Sequence, residues 1–136
     1  MDGEKLFTLE IVTPTRIEFR GQVKHVRAPG VAGYFGILAN HTPFLTTVKI
    51  GALTVQAKAE TFYFATSGGF AEVLNNKMTL LVQSAEQATD IDVRRAEGAK
   101  KRAEKRLAEK NPDTDLERAK AALLRALNRI SIASRN

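Results

Sequence analysis

Arg95, Arg102, Arg125 and Arg129 are the side chains whose type and spacing could do chemistry together. Seven residues separate the first pair and four the second, and in a helix either spacing returns a side chain to the same face. Between the pairs lies Asn111-Pro112-Asp113, a sequence that breaks a helix. A chain folded back at Asn111 would set Arg95, sixteen residues before it, level with Arg125, fourteen after it, at about 1.5 Å per residue. Four guanidiniums along one side of a hairpin repel one another unless something anionic lies between them. Asp92 and Glu86 supply part of that negative charge. A triphosphate has the charge and the oxygen geometry to supply the rest, through charge-assisted and partly bidentate hydrogen bonds. The plain alternative is that the arginines splay into solvent.

Other chemistries find little to work with. There is no cysteine, and the only histidines are His25 and His41. His25 falls in a strand-like stretch without an acidic or nucleophilic neighbour, and His41 sits in the turn-forming run Asn40-His41-Thr42-Pro43. Ser67-Gly68-Gly69-Phe70 lacks the strand-to-helix setting of a nucleophile elbow and reads as a corner between two strands. No cluster has metal-ligand spacing. The chain reads as a binding module without catalytic residues.

The elements that must position the arginines follow from a change of composition near Ser84. All nine aromatics lie between Phe7 and Phe70, and eight of nine glycines precede Phe70. Beyond Ser84 the chain is rich in Ala, Leu, Lys, Arg and Glu, with the single glycine Gly98 and the single proline Pro112. Such compositions belong to a turn-rich β unit followed by exposed helix. The expected fold is an N-terminal β-sandwich or flattened barrel of about ten strands over residues 1–85, then an antiparallel two-helix hairpin over residues 86–136.

Phe7, Leu9 and Ile11 alternate with polar neighbours as a half-buried strand does. Strands are expected at residues 17–19 and 22–27, then a glycine-studded loop at 30–36 followed by Ile37-Leu38, then further strands at 44–49, 52–57, 61–66, 71–74 and 78–82. Asn75-Asn76 tolerates positive φ and suits a tight hairpin turn. In the second part, Thr89 or Asp90 is expected to cap a helix running to about Glu109, with a slender stripe of Ala96, Ala99, Ala103 and Leu107. Thr114 with Glu117 reads as a capping box opening a second helix, whose stripe is Leu116, Ala119, Leu123, Ala126, Leu127 and Ile130. A two-helix hairpin buries little apolar surface and is marginal without docking. It could therefore act as a detachable switch, and its exposed stripe leaves self-association of the isolated chain open.

With 136 residues the chain can bury one sizeable core, and it has no apolar run long enough to cross a bilayer. The opening residues show neither a signal peptide nor a transit peptide, and a cytoplasmic location is expected. The net charge is +6, with 13 basic and 9 acidic residues from position 85 onward. Basic charge of this kind also suits a nucleic-acid-binding module. Against that reading, no aromatic stacking platform lies in the basic segment and acidic residues are interspersed through it.

Two segments resemble the epsilon subunit of bacterial F-type ATP synthase, and the resemblance runs over essentially the whole chain. Gly33-Tyr34-Phe35-Gly36-Ile37-Leu38-Ala39-Asn40-His41-Thr42-Pro43 is similar to that family's Gly-x-x-Gly-Ile-x-Pro-x-His-x-Pro segment, with Ala39 in place of the usual proline. Ser67-Gly68-Gly69-Phe70-Ala71-Glu72-Val73 is similar to its Ser-Gly-Gly-x-x-Glu-Val corner. The resemblance implies a non-catalytic central-stalk subunit, peripheral on the cytoplasmic face of the bacterial plasma membrane. Its sandwich would grip the gamma subunit. Val31, Ala32, Gly33, Tyr34 and Phe35, with His41, would face the c-subunit ring and gamma.

The family's hairpin permits ATP hydrolysis when folded and blocks it when extended into the catalytic head. There Arg118, Lys120, Arg125 and Arg129 would meet acidic loops of the beta subunits. Some members bind ATP on the folded hairpin through Ile/Leu-Asp-x-x-Arg-Ala, which Ile91-Asp92-Val93-Arg94-Arg95-Ala96 matches in full. By that resemblance the ATP contacts, with or without Mg²⁺, are Glu86, Ile91, Asp92, Arg95, Ala96, Arg102, Arg125 and Arg129. The adenine would lie near Ile91 and Ala96, and the arginines would hold phosphates. A hairpin that moves without sensing nucleotide is the alternative within the same family.

Overall fold

A computed structural model describes residues 5–135. The first four residues and Asn136, the outer ends of the two expected segments, lie outside the described residues. Nine strands precede two helices: β1 (Phe7–Val12), β2 (Ile17–Gly30), β3 (Gly33–Leu38), β4 (Phe44–Val48), β5 (Gly51–Ala57), β6 (Thr61–Thr66), β7 (Gly69–Leu74), β8 (Lys77–Val82), β9 (Ala85–Gln87), α1 (Val93–Glu109) and α2 (Leu116–Ala133).

The strands pair in the order β1-β8-β7-β4-β2-β5-β6-β9, with β3 on β2 and a further β1–β2 pairing. The circuit β1-β8-β7-β4-β2 thus closes on itself, which makes the sandwich a flattened barrel. β1 is parallel to β8 and antiparallel to β2. Alternation decides what faces inward: Phe7, Leu9 and Ile11 of β1 and Met78, Leu80 and Val82 of β8 are buried with Val23, Val26, Leu53, Val55 and Phe64.

The strand pattern departs from expectation in three places. The pieces at 17–19 and 22–27 form one 14-residue strand, because Gly21 and Gln22 stay in the ladder opposite Leu9 and Thr8. β2 then changes partners from β1 to β5, with an irregular register between Val23 and His25. The glycine-studded stretch at 30–36 is mostly strand, since Gly30 pairs with Gly33 and only Val31 and Ala32 form the turn. Finally, Ala85, Glu86 and Gln87 stay extended against Thr66, Ala65 and Phe64 as β9.

Asn75 and Asn76 both have positive φ, 51° and 59°, and form the β7–β8 turn. Asn76 also accepts from the Asn40 N–H at 2.7 Å and donates to the Leu6 carbonyl at 3.0 Å, so one turn residue fastens two other segments.

Glu10, central in β1, receives Arg20 of β2 at 2.6 Å and Lys77 of β8 at 3.2 Å. The hydrogen bond from Lys77, then that from Arg20, holds its pKa below the usual carboxylate value. A lowered folded-state pKa gives stability that is present above the ordinary carboxylate range and lost as pH falls through the depressed value. Glu10→Gln is therefore expected to lower the thermal midpoint near neutrality, where the ion pairs are formed, and to converge on the parent at low pH, so that its acid-side fall is flatter. Melting curves of both proteins across pH 3–7 check this, and superimposable slopes would refute it.

Candidate functional site

The hairpin stands on alanine. Ala96 and Ala103 of α1 and Ala119 and Ala126 of α2 are buried where the helices meet, and methyl side chains let the two backbones approach closely. Ala99, Leu107, Leu123 and Ile130 of the expected stripes are half-buried, while Leu116 and Leu127 are exposed.

Both helices start later than expected. α1 is capped by Asp92, whose carboxylate accepts the Arg95 backbone N–H at 3.1 Å. Neither Thr89 nor Asp90 caps it, because β9 and the short 3₁₀ turn Ala88–Asp90 hold the chain against the sandwich as far as Ile91. α2 is capped by Asp115, which accepts the Arg118 backbone N–H at 3.1 Å. The expected Thr114–Glu117 capping box is displaced, since Asp113 and Thr114 complete the turn by bonding back to Asn111.

A second face of α2 carries Arg125, Asn128, Arg129 and Ile132, at the i, i+3, i+4, i+7 spacing of one helical stripe. This face docks on the sandwich. Ile132 is buried among Ala52, Ala65, Ala88 and Ile91, with Tyr63 and Ala133 alongside. Asn128 Nδ2 donates to the Gly51 carbonyl at 2.8 Å. Arg129 forks onto Glu86 of β9, Nε to Oε1 at 2.5 Å and Nη2 to Oε2 at 2.9 Å. Between β6, β9 and α2 lies a small cleft of about 30 Å³, partly open to solvent, lined by Thr66, Ser67, Ser84, Glu86, Arg125 and Arg129 among others.

The structure thus brings Glu86, Arg125 and Arg129 to one cleft. Arg95, Arg102 and Arg125 are exposed, and none of their guanidiniums has a hydrogen-bond or ion-pair partner among the described residues. Arg102 folds back along its helix, with Nη1 3.3 Å from where a Cβ on Gly98 would stand. Ile91, Asp92 and Ala96 each have work within the fold: Ile91 packs under Ile132, Asp92 caps α1, and Ala96 is sealed in the helix seam. Arg118 and Lys120 are exposed, with Lys120 3.6 Å from Glu117.

Asn128 and Ile132 were missing from the sequence reading. An asparagine in the middle of an Ala/Leu helix, where its propensity is poor, is the signal that could have found the first.

In the turn between β2 and β3, Val31, Ala32 and Gly33 form an exposed tip. Tyr34 is tied back into the body: its hydroxyl accepts the Ala52 N–H at 3.0 Å, and the Arg27 guanidinium lies 4.0 Å from its ring centre. Phe35 and His41 both pack edge-on against Phe44, and His41 Nδ1 bonds the Thr42 carbonyl. The outer surface of β4, β7 and β8 exposes Leu45, Phe70 and Leu81, and Val12, Pro14, Phe70 and Leu81 line an apolar groove there. Among the described residues, no helix is long and apolar enough to cross a membrane.

Comparison with known proteins agrees with this arrangement. Residues 6–88 match the family model of the ATP synthase delta/epsilon chain β-sandwich domain, and residues 89–134 that of its long α-helix domain. The chain is 52% identical over 106 residues to the ATP synthase epsilon chain of Nitratidesulfovibrio vulgaris (strain DP4), covering 78% of this chain and 79% of that one. It is 46% identical over 125 residues to the epsilon chain of Desulforamulus reducens, covering 92% and 95%. A chain in the Euglena gracilis mitochondrial ATP synthase structure (OSCP/F1/c-ring in rotational state 1) shares the fold, with a TM-score of 0.80 at 20% identity over 100% of this chain and 86% of that one. With both halves matched in order, the chain belongs to the ATP synthase delta/epsilon chain family as an epsilon subunit of the bacterial F-type enzyme, a non-catalytic subunit of the central stalk.

Proposed function

We propose that this subunit couples rotation of the c-subunit ring to the catalytic head while its hairpin senses ATP. The sandwich grips the gamma subunit through the apolar outer surface around Phe70, Leu81 and Leu45. The tip at Val31, Ala32 and Gly33, with Tyr34 and Phe35 behind it, rests on the c ring at the cytoplasmic face of the membrane. ATP, with or without Mg²⁺, is held by the docked hairpin, and the extended hairpin inhibits hydrolysis by presenting Arg118, Lys120, Arg125 and Arg129 to the beta subunits.

The observation that carries the sensing role is the set of guanidiniums without partners among the described residues, Arg95, Arg102 and Arg125, on the same hairpin as the cleft at Glu86 and Arg129. Unpaired cations held on a folded element are an electrostatic cost that a polyphosphate relieves. A ligand that binds only the docked form stabilises it by RT ln(1 + [L]/Kd), about 2.7 kcal/mol at a hundredfold excess over Kd. That suffices to reset the hairpin equilibrium.

Calorimetric titration of the chain with ATP, with and without Mg²⁺, tests the reading. Saturable one-to-one binding is expected, weakened at least tenfold in Arg125→Ala by loss of a charged hydrogen bond worth roughly 1.5–3 kcal/mol. Absence of binding up to millimolar ATP would return the arginines to protein contacts. A hairpin that moves without sensing nucleotide draws support from one observation: Ile91, Asp92 and Ala96 are each fully employed within the fold.

A further inference from the structure

Arg129 differs from the other three arginines in being already held, and the group that holds it is a carboxylate in the same position a ligand oxyanion would take. Glu86 engages Nε and Nη2 of Arg129 with both of its oxygens, the fork that two phosphate oxygens would also fill. Glu86 belongs to β9, fixed to the sandwich by its pairing with Ala65, whereas Arg129 belongs to α2. The two ends of the ion pair therefore sit on elements that must part if the hairpin leaves the body. Their side chains are 36% and 23% exposed, so the pair is shielded but within reach of salt. Among the described residues Nη1 of Arg129 has no partner, and Arg125, one turn earlier on the same stripe, lines the same cleft without one.

We propose that Glu86 is a built-in substitute for the anionic ligand, latching the docked hairpin when no nucleotide is bound. The latch rests on the nucleotide-sensing reading for the identity of the ligand that Glu86 replaces. It changes what the ligand does: one carboxylate neutralises one of four arginines, so the hairpin docks unaided but loosely. ATP then tightens a closed state and does not create it. Docking without nucleotide weakens with added salt, because a partly exposed pair is still screened.

The lack of cysteine allows a clean test on the full chain. Dyes at Lys58→Cys, an exposed turn of the sandwich, and Lys101→Cys, an exposed position on α1, report docking by energy transfer. Without nucleotide the labelled parent is expected to be mostly docked. Glu86→Gln and Arg129→Gln are each expected to lower the ratio of docked to undocked chains on the order of five- to tenfold, as loss of a shielded bidentate pair implies. The double variant should lose no more than either single one, and ATP should raise docking of the parent further. Circular dichroism of each variant confirms that the sandwich and helices persist.

An undocked nucleotide-free parent, or single effects that are absent or simply add, would each overturn the latch. ATP that closes the parent hairpin despite uncoupled single effects would leave the sensing reading standing alone. Coupled single effects in a protein whose energy transfer ignores millimolar ATP would refute the sensor, and with it the role of Glu86 as a ligand substitute.

Discussion

Gly69→Ala is expected to yield little or no folded protein. A Cβ at Gly69 would stand 2.0 Å from the Leu81 carbonyl oxygen and 2.7 Å from the Val82 Cα, both backbone atoms. Gly69 pairs with Val82 at the start of the β7–β8 ladder, so the neighbour cannot yield without opening the ladder. The preceding residue adds a second constraint: Gly68 has φ +103°, and a Cβ on it would lie 2.9 Å from the Val48 carbonyl. Backbone overlap of this kind places the loss above about 4 kcal/mol, the exceptional end of single substitutions. Soluble yield and urea unfolding of Gly69→Ala, beside Gly98→Ala as control, check the expectation. At Gly98 a Cβ meets only the far end of Arg102, so the control should be unharmed or slightly stabilised. A Gly69→Ala protein with a normal unfolding midpoint would show that the corner is not a steric requirement.

Ile132→Ala is expected to release the hairpin while leaving the sandwich folded. Ile132 is the largest side chain that α2 buries, at 1% exposure, and it fills a pocket made mainly of alanines that are too short to follow it. Removal of a buried isoleucine side chain to alanine costs roughly 2–5 kcal/mol. The polar docking contacts that remain among the described residues are one amide hydrogen bond from Asn128 and the Glu86–Arg129 pair. Hydrogen exchange should speed across residues 93–133 and stay slow at Leu9, Val55 and Leu80, with the sandwich's melting transition preserved. Unchanged protection in α2 would mean that docking does not rest on this side chain.

How much was legible beforehand follows from how local each signal is. The alternation in β1, the Asn75-Asn76 turn and the Asn111–Asp113 break are settled by neighbours in sequence, and each stands where expected. Strand continuity across Gly21 is not local, since it depends on Leu9 lying opposite. The same holds for β9, three residues whose extended state is set by β6 and which by composition look like the beginning of a helix. In the site, helical spacing was enough to group Arg125 with Arg129 on one face. It could not show that Asn128 reaches a carbonyl seventy-seven residues away, or that Ile132 and not Ile130 turns into the body. α2 has two contact faces, and a single-stripe reading sees only the one it shares with α1.

The parallel pairing of β1 with β8 also governs the order of events as the chain folds. Thr8 through Val12 find half of their partners at residues 77–81, so the barrel circuit cannot close until nearly all of the β region is available. Contacts of such large sequence separation slow the search, whereas α1 and α2 meet across a short turn and need no distant residue. Refolding should therefore divide by region, with helical signal gained early and burial of Phe7 and Phe64 completed late. The hairpin, marginal until it docks, would flicker into helix first and be fixed in place only once the sandwich can receive it.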